Sequence, residues 1–283
     1  MEKIRSLKSK DLYPSIFSRH AAAYQRRLDE IMARGQAGGR QRAIELLELR
    51  PGMRVLDLAC GPGTLSKPIA AQIAPDGEVT GIDLAQGMID LARAARIPNA
   101  RFQVMDIENL DFPGASFDAA ACGHGLQFAP DLPRALVETR RVLRPNARFA
   151  ASIPVDWATQ RPWKVMDEVV DRWLPPAPKA TDQEATRLTV NDADALRTAV
   201  LSAGFDEAAV EVIEEKVRWD SAEEIVSQCM SWWDLAARLD GVAAADRQAF
   251  RDDAVETLRR EHPGVIETTG RTHVLWAVAS SGG

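Results

Sequence analysis

A short apolar run followed at once by a glycine turn occupies residues 55–63, which read Val-Leu-Asp-Leu-Ala-Cys-Gly-Pro-Gly. A second apolar run ends in Gly81-Ile82-Asp83, with the acid 22 positions after Gly61. Glycine lets the backbone turn sharply and pass close to a ligand, and this spacing brings a carboxylate to the next strand tip, within reach of a ribose. The pattern therefore predicts a doubly wound sheet that binds a nucleoside at its strand tips.

Apolar runs and helical segments alternate along the first half of the chain. Strands are predicted over residues 53–59, 78–83, 100–105, 116–122 and 148–154, and helices over 63–74, 85–97 and 131–144. This alternation is typical of a parallel sheet with crossover helices. The third strand ends in Asp106, a further acid at a strand tip, and Asp131 with Pro133 marks the start of the third of these helices.

Two nucleoside cofactors fit the glycine turn. A dinucleotide-binding loop has a third glycine or an alanine where this chain has Ser66, and Pro62 and Pro68 flank the turn here. NAD therefore stays open as an alternative at this point. A short-chain dehydrogenase would also need a Tyr-x-x-x-Lys pair, and neither of the two tyrosines has a lysine at that spacing.

With these motifs the chain resembles the class I S-adenosylmethionine (SAM) methyltransferases, specifically the small-molecule branch similar to the ubiquinone and menaquinone biosynthesis enzymes. The resemblance also rests on residues 17–24 (Phe-Ser-Arg-His-Ala-Ala-Ala-Tyr) and 121–128 (Ala-Cys-Gly-His-Gly-Leu-Gln-Phe), and it covers about residues 10–155. One departure is visible, since Asn146-Ala147 stands where the family has two glycines before the fifth strand. Asparagine tolerates a left-handed turn, so we expect this turn to survive.

The resemblance implies a role for each strand tip. In this family the first-strand acid and the glycines contact the methionine end of SAM, which here implies Asp57, Gly61 and Gly63. The second-strand acid, Asp83, would hold the ribose hydroxyls, and the third-strand acid, Asp106, would meet the adenine amine. Further cofactor contacts are implied for Phe17, Tyr24, Ala59, Leu84, Met88, Ile107 and Gly123. The product formed from the cofactor would be S-adenosylhomocysteine.

Methyl transfer from SAM needs little beyond proximity, alignment and a dry site, because the sulfonium already activates the methyl carbon. An acceptor hydroxyl or protonated amine would also benefit from a general base. His124 is the catalytic candidate because a fourth-strand tip faces both cofactor and substrate, and turnover would then rise with pH through about 6 to 7. The alternative is that His124 forms a wall of the pocket. His20 and Asp156 are further candidates for the base.

The chain is predicted to consist of a core with helical additions. The predicted parts are an N-terminal helical lid (1–44), a Rossmann-like SAM-binding core (45–155), a cap insert (156–190), a core helix and strand (191–220), a helical cap insert (221–264) and a closing core strand (265–283). Within them, helices are predicted over 13–34, 40–49 and 244–261, and strands over 207–218 and 272–279. Asn191 is the predicted cap of the following helix, and Ser221 with Glu224 forms a capping box that opens a helix reaching Leu239. Together these parts predict a mostly parallel, seven-stranded α/β fold.

All seven tryptophans lie between positions 157 and 276, outside the predicted cofactor half. Bulky aromatic side chains hold small helical inserts on a sheet, and they also form pockets for flat or apolar ligands. The group predicts a cap over a substrate, with pocket residues His20, Gln127, Trp157, Trp232 and Trp233.

The predicted function is SAM-dependent methylation of oxygen, nitrogen or carbon in a small aromatic or polycyclic metabolite of secondary metabolism, by in-line displacement. Two alternatives stay open. One is an NAD(P)-dependent oxidoreductase, and the other is a protein of this fold that binds SAM without transferring its methyl group.

Composition narrows the partners. The net charge of −6 argues against a general nucleic-acid surface, which requires clustered lysine and arginine. No run approaches the 18 or so apolar residues of a membrane helix, and the N-terminus lacks the apolar stretch of a signal peptide, so a cytoplasmic location is expected. The three cysteines and four histidines show no metal-ligand spacing, so we expect no metal. The oligomeric state cannot be read from the sequence.

Overall fold

The structure, a computed structural model, describes residues 7–155 and 160–281. The strands within these residues are β1 (Arg54–Leu58), β2 (Glu78–Asp83), β3 (Ala100–Val104), β4 (Phe117–Gly123), β5 (Leu143–Val155), β6 (Phe205–Trp219) and β7 (Ile266–Ala279). They form one sheet in the order β3-β2-β1-β4-β5-β7-β6. Strands β1 to β5 are parallel, whereas β7 is antiparallel to both β5 and β6. The predicted seven-stranded, mostly parallel α/β fold is confirmed.

Helices pack on both faces of this sheet. Those in the described residues are α1 (Ser9–Ala33), α2 (Gly38–Leu46), α3 (Ser66–Ile73), α4 (Gln86–Ala94), α5 (Leu132–Val142), α6 (Arg161–Trp173), α7 (Glu184–Asn191), α8 (Ala193–Ser202), α9 (Ala222–Met230), α10 (Trp233–Leu239) and α11 (Ala244–Glu261). Strand β1 lies in the middle of the parallel part, between β2 and β4, and its residues 55–58 are all buried. A strand covered on both faces must be apolar along its length, as this run is.

Long-range packing moves several predicted boundaries. The antiparallel pair β6–β7 extends from Phe205 and Ala279 to Trp219 and Ile266, so β7 begins six residues before the strand predicted over 272–279, whereas β6 matches the strand predicted over 207–218 to within two residues at each end. The segment after β5, which the sequence left without regular elements, contains helices α6 and α7. Helix α6 packs mainly on α11, which is distant in sequence, whereas α7 packs on the adjacent α8 and on residues 126–128.

Two of the three predicted helix caps are present in the structure. Asp131 and Ser221 cap α5 and α9 as predicted, because their side chains accept hydrogen bonds from backbone amides of the first turn. The prediction for Asn191 was wrong. Asn191 ends α7, and the adjacent Asp192 caps α8 by accepting from the amides of Asp194 and Ala195 at 2.9 Å.

Three tryptophans, Trp163, Trp219 and Trp232, belong to a second hydrophobic core. Trp163 and Trp219 are buried in a cluster formed by α6, α9, α10, α11 and the outer ends of β6 and β7. The predicted single helix after Ser221 breaks at Trp232, whose backbone is extended and separates α9 from α10. The break sends Trp232 toward Trp163 and leaves Trp233 facing Tyr13 of α1.

Candidate cofactor and active site

A cavity lies at the carboxyl ends of β1, β2, β3 and β4, and α1 covers it. Of the residues that the sequence assigned to the cofactor and to catalysis, those lining this cavity are Phe17, Tyr24, Asp57, Ala59, Gly61, Asp83, Leu84, Met88, Asp106, Ile107, Gly123 and His124. Helix α1 fits closely against α4, where a Cβ on Gly87 would stand 2.6 Å from the carbonyl oxygen of Ser18. The strand tips and α1 together therefore enclose the predicted site.

The two glycines of the turn play different parts. Gly61 has a φ of +54°, and a Cβ built on it meets no atom within 4 Å, so its backbone borders open space in the cavity. Gly63 has a φ of +88° and does not line the cavity. It faces the protein interior instead, since a Cβ there would stand 3.0 Å from Cδ1 of Ile97 and 3.5 Å from the ring of Phe102. The prediction that both glycines border the ligand is thus corrected for Gly63, whose requirement is conformation and packing.

Asp83 joins the tip of β2 to the glycine turn. Its Oδ2 accepts a hydrogen bond from the amide of Gly61 at 2.9 Å, and its Oδ1 accepts from the amide of Ala85 at 2.8 Å. Burial raises the pKa of Asp83, and these amide hydrogen bonds oppose the rise. Each carboxylate oxygen can accept more than one hydrogen bond, so the side chain can hold the turn and still accept from two vicinal hydroxyls.

Asp57 is more deeply buried and has an unused oxygen. Its Oδ2 accepts a 2.6 Å hydrogen bond from Oγ of Ser66, while its Oδ1 has no hydrogen-bond partner among the described residues. Burial raises the pKa of Asp57 to about 7, opposed by the Ser66 hydrogen bond and reinforced by the Asp83 carboxylate. An unpaired buried carboxylate oxygen is costly, and a ligand with a hydrogen-bond donor would satisfy it.

At the far end of the cavity, Asp106 is held in an ion-pair cluster. Lys10, in the first turn of α1, contacts Asp106 Oδ2 at 2.6 Å and also pairs with Glu108. The amide of Glu108 donates to Asp106 Oδ1 at 2.9 Å. This cluster ties α1 to the residues that follow β3, and the sequence did not predict it.

Arg40 is the most informative site residue that the sequence left out. It lies in α2, is buried, lines the cavity and forms no ion pair with a carboxylate among the described residues. Burial lowers its pKa, and the neighbouring Tyr24 and the Glu215 carboxylate oppose that effect. A helical signal was present, since Arg40 shares the buried face of Ala43 and Leu47 at a spacing of three and seven residues.

His124 lies at the tip of β4 and lines the cavity in a left-handed backbone conformation with a φ of +64°. Its amide donates to the carbonyl oxygen of Ser152 at 2.8 Å. Burial lowers the pKa of His124 well below its usual range, and the Arg40 charge lowers it further. The imidazole is therefore neutral at neutral pH, which corrects the expectation that it titrates at about pH 6 to 7.

The predicted substrate-pocket residues do not line the cavity. His20 lies 3.2 Å from Asp240 Oδ1, and Trp232 lies under the guanidinium of Arg27 at 4.8 Å from its ring centre. Gln127 turns away and donates to the carbonyl oxygen of His124 at 2.9 Å. Trp157 and the further base candidate Asp156 lie outside the described residues.

Aromatic side chains from other parts of the chain line the cavity instead. Phe128 lies edge-on to Tyr13 and Phe17, with ring centres 5.1 and 5.3 Å away. We call these three residues, all of which line the cavity, the aromatic wall. Trp233 supports the wall from behind, with its ring centre 5.0 Å from that of Tyr13. The aromatic residues that line the cavity therefore differ from those that the sequence predicted for the substrate pocket.

No helix within residues 7–155 and 160–281 is long and apolar enough to cross a membrane. The same residues contain no group of three or more histidine, cysteine, aspartate or glutamate side chains arranged to hold a metal ion.

Comparison with known proteins identifies the family. A sequence model described as a methyltransferase domain matches residues 55–146. The chain is 33% identical over 181 residues to a 2-phytyl-1,4-naphtoquinone methyltransferase of Synechococcus elongatus, covering 62% of this chain and 77% of that protein. This protein belongs to the class I SAM-dependent methyltransferases. The methyltransferase is also 30% identical over 229 residues to the nocamycin O-methyltransferase of Saccharothrix syringae, covering 75% of this chain and 81% of that protein.

Solved structures agree on the fold of the methyltransferase. The YcgJ protein of Bacillus subtilis superposes with a TM-score of 0.52 at 18% identity, covering 87% of this chain and 99% of that one. A Haemonchus contortus phosphoethanolamine N-methyltransferase, solved with S-adenosylhomocysteine, gives a TM-score of 0.51 at 15% identity, covering 85% of this chain and 52% of that one. At these identities the likeness concerns the fold alone, and the NAD(P) alternative is overturned by the family membership.

The residues of the cavity fit SAM. Open space at Gly61, the unpaired oxygen of Asp57 and the buried guanidinium of Arg40 would suit a methionine moiety, whose ammonium and carboxylate need an acceptor and a cation. Asp83 would accept the ribose hydroxyls, and Asp106 would accept the adenine amine.

Proposed function

We propose that this methyltransferase methylates a small aromatic or polycyclic metabolite, at an oxygen, nitrogen or carbon atom, in secondary metabolism. The aromatic wall is the observation that carries the proposal. Phe128 packs edge-on against Tyr13 and Phe17, and all three rings belong to residues that line the cavity in which the cofactor would lie. Aromatic rings favour edge-to-face or offset stacking with other rings, so such a wall binds flat ligands better than flexible polar ones.

The relatives support the same class of acceptor. One of them is named for a naphtoquinone and another is an O-methyltransferase named for nocamycin. The residues that line the cavity fit a reaction that needs few catalytic groups. The cofactor supplies an electrophilic methyl carbon when bound, and the protein aligns the acceptor and excludes water from the closed site. His124, neutral and lining the cavity, can accept a proton from a hydroxyl acceptor.

A product screen tests the proposal. The protein is incubated with SAM and a panel of phenols, naphthoquinols and polycyclic phenols beside a matched panel of aliphatic alcohols and amines, and products are detected by mass. The proposal predicts a mass gain of one methyl group, with stoichiometric S-adenosylhomocysteine, for at least one aromatic compound. Methylation confined to the aliphatic panel would overturn the substrate class. Tight SAM binding without any methylated product would favour a protein of this fold that uses SAM without transferring its methyl group.

Once an acceptor is identified, a pair of variants tests whether it binds against the aromatic wall. Phe128→Leu should raise the acceptor KM about tenfold and leave SAM affinity unchanged, because it removes a ring from the aromatic wall. Phe112→Leu is the matched control, since Phe112 packs on Phe117 and does not line the cavity. Equal effects of the two substitutions on the acceptor KM would remove the aromatic wall from the acceptor site.

A further inference from the structure

The segment before α7 holds the first turn of α1. Ala180 forms a parallel bridge with Leu7, and Oδ1 of Asp182 accepts from the amide and the hydroxyl of Ser9 at 3.0 and 2.7 Å. The next residue, Gln183, accepts a hydrogen bond at Oε1 from the hydroxyl of Tyr13. Residues 180–183 therefore contact Leu7, just before α1, and Ser9 and Tyr13 within α1, and we call residues 180–183 the clasp.

Gln183 also contacts the other side of the cavity. Its Nε2 donates to the carbonyl oxygen of Gln127 at 3.0 Å, and the side chain of Gln127 donates to the carbonyl oxygen of His124 at 2.9 Å. One amide side chain thus connects Tyr13, on the helix that covers the cavity, with the turn that carries His124. His124 has a positive φ, and a non-glycine residue keeps this conformation only where its surroundings fix it.

We propose that Gln183 is a positioning residue that couples closure of α1 to the conformation of the 124–128 turn. Both polar groups of its side chain are used, one on each side, so movement of α1 away from the clasp would break the Tyr13 bond that helps to hold the Gln183 amide in place for its bond to the turn. Tyr13 and Phe128 belong to the aromatic wall, so the coupling would set the shape of the acceptor site. In that respect the inference rests on the proposed function, whereas the coupling itself does not require a particular acceptor.

Hydrogen exchange measures the coupling directly. The amides of Phe128 and Ala129 bond to the carbonyl oxygens of Gly125 and Leu126, and they report on the turn. Tyr13→Phe removes only the hydroxyl on the α1 side, and Gln183→Leu removes both bonds. Each substitution should accelerate exchange of these two amides about three- to tenfold without added ligand, with Val79 in the sheet as an unchanged reference. Gln248→Leu, in an exposed pair with Asp252 on α11, is the matched control and should change neither amide.

A second readout separates positioning from a general loss of stability. Affinity for S-adenosylhomocysteine is measured by calorimetry for Tyr13→Phe, for Gln183→Leu and for the double variant. The effects on affinity should be non-additive, because both substitutions break the same connection. If Tyr13→Phe leaves Phe128 and Ala129 exchanging at the wild-type rate, or if the two effects simply add, the coupling is wrong. Because these measurements use no acceptor, they can succeed even if the aromatic-acceptor proposal fails. If Gln183→Leu does not fold, Tyr13→Phe alone still decides the question.

Discussion

The carboxylate of Asp83 accepts a 2.9 Å hydrogen bond from the backbone amide of Gly61, so the tip of β2 and the turn after β1 form one unit. The two residues are 22 positions apart in the chain, and the same carboxylate also accepts from Ala85. An acid in this place shapes the turn, and we propose that it also accepts hydrogen bonds from the ribose hydroxyls of the cofactor. Its removal should therefore affect binding more than a lost ligand contact alone.

Asp83→Ala should weaken SAM binding at least about tenfold, because hydrogen bonds to a charged acceptor contribute about 1.5 to 3 kcal/mol each. Calorimetry on the folded variant measures the change. Asp90→Ala is the matched control, since Asp90 lies on α4 with an exposed hydrogen bond to Gln86 and should leave the affinity unchanged. Unchanged SAM affinity in a folded Asp83→Ala protein would contradict the cofactor site described here.

The two glycines of the turn should respond differently to alanine. Gly61→Ala places a methyl group at the cavity and should reduce SAM affinity more than stability. Gly63→Ala meets Ile97 and has an unfavourable positive φ, so it should lower the free energy of unfolding by about 1 to 3 kcal/mol. Denaturant unfolding and calorimetry of both variants measure the difference. A Gly63→Ala protein of full stability with lost SAM binding would reverse this assignment.

The acids at the cofactor end of the sheet could be predicted because the sequence signals that mark them are local. Asp83 ends one apolar strand and Asp106 follows another, and parallel strands bring those tips to one edge of the sheet. Both acids were predicted in this way, whereas the role of Asp57, which lies inside β1, was implied by the family resemblance. All three residues line the cavity.

The residues on the acceptor side of the cavity could not be predicted, because tertiary packing that no local sequence pattern records determines which aromatic side chains line it. Trp232 and Trp233 were predicted to line a substrate pocket, yet Trp232 packs with Trp163 beside a second core and Trp233 packs on Tyr13. An aromatic residue in a helix looks the same in sequence whether it faces a ligand or another ring. For the same reason the bond between Gln183 and Tyr13, which joins segments 170 residues apart, left no trace in the sequence.

Asp57 should make SAM binding depend on pH. Its pKa of about 7 means that the free protein carries a protonated Asp57 below that pH. The ammonium of the methionine moiety would favour the carboxylate, so binding should release a proton and SAM affinity should rise as the pH increases from 6 to 8, by at most about tenfold per pH unit. Calorimetry in buffers of different ionisation enthalpy counts the proton.

Asp57→Asn should remove this proton release and flatten the pH dependence. The raised pKa has a second consequence for the protein without ligand. The raised pKa of Asp57 adds to the free energy of unfolding. This contribution is complete below the unfolded-state pKa of an aspartate, near 4, and is lost as the pH rises through about 7. Denaturant unfolding at pH 5 and pH 8 should therefore differ less for Asp57→Asn than for the wild type. Proton release that persists in Asp57→Asn would assign it to another group.

His124 should not produce a rise in turnover between pH 6.5 and 8.5. Its pKa is lowered by burial and by Arg40, so the imidazole is already neutral throughout that range. As the pH falls below the unfolded-state pKa of a histidine, about 6.5, the unfolded chain binds a proton more readily than the folded protein does. The free energy of unfolding therefore decreases. The imidazole resonances of the four histidines, assigned with a His124→Asn variant, measure the titration. A His124 resonance that titrates near pH 6.5 would show an imidazole open to water.

A crystal structure of the methyltransferase grown with S-adenosylhomocysteine would decide whether cofactor and acceptor share the cavity beneath α1. We predict that the ribose hydroxyls bond to Asp83, that the adenine amine reaches Asp106, and that the carboxylate lies on Arg40. The sulfur should then face Phe128 and the rest of the aromatic wall. A nucleoside bound elsewhere, or a sulfur turned away from Phe128, would contradict the arrangement on which the proposed function depends.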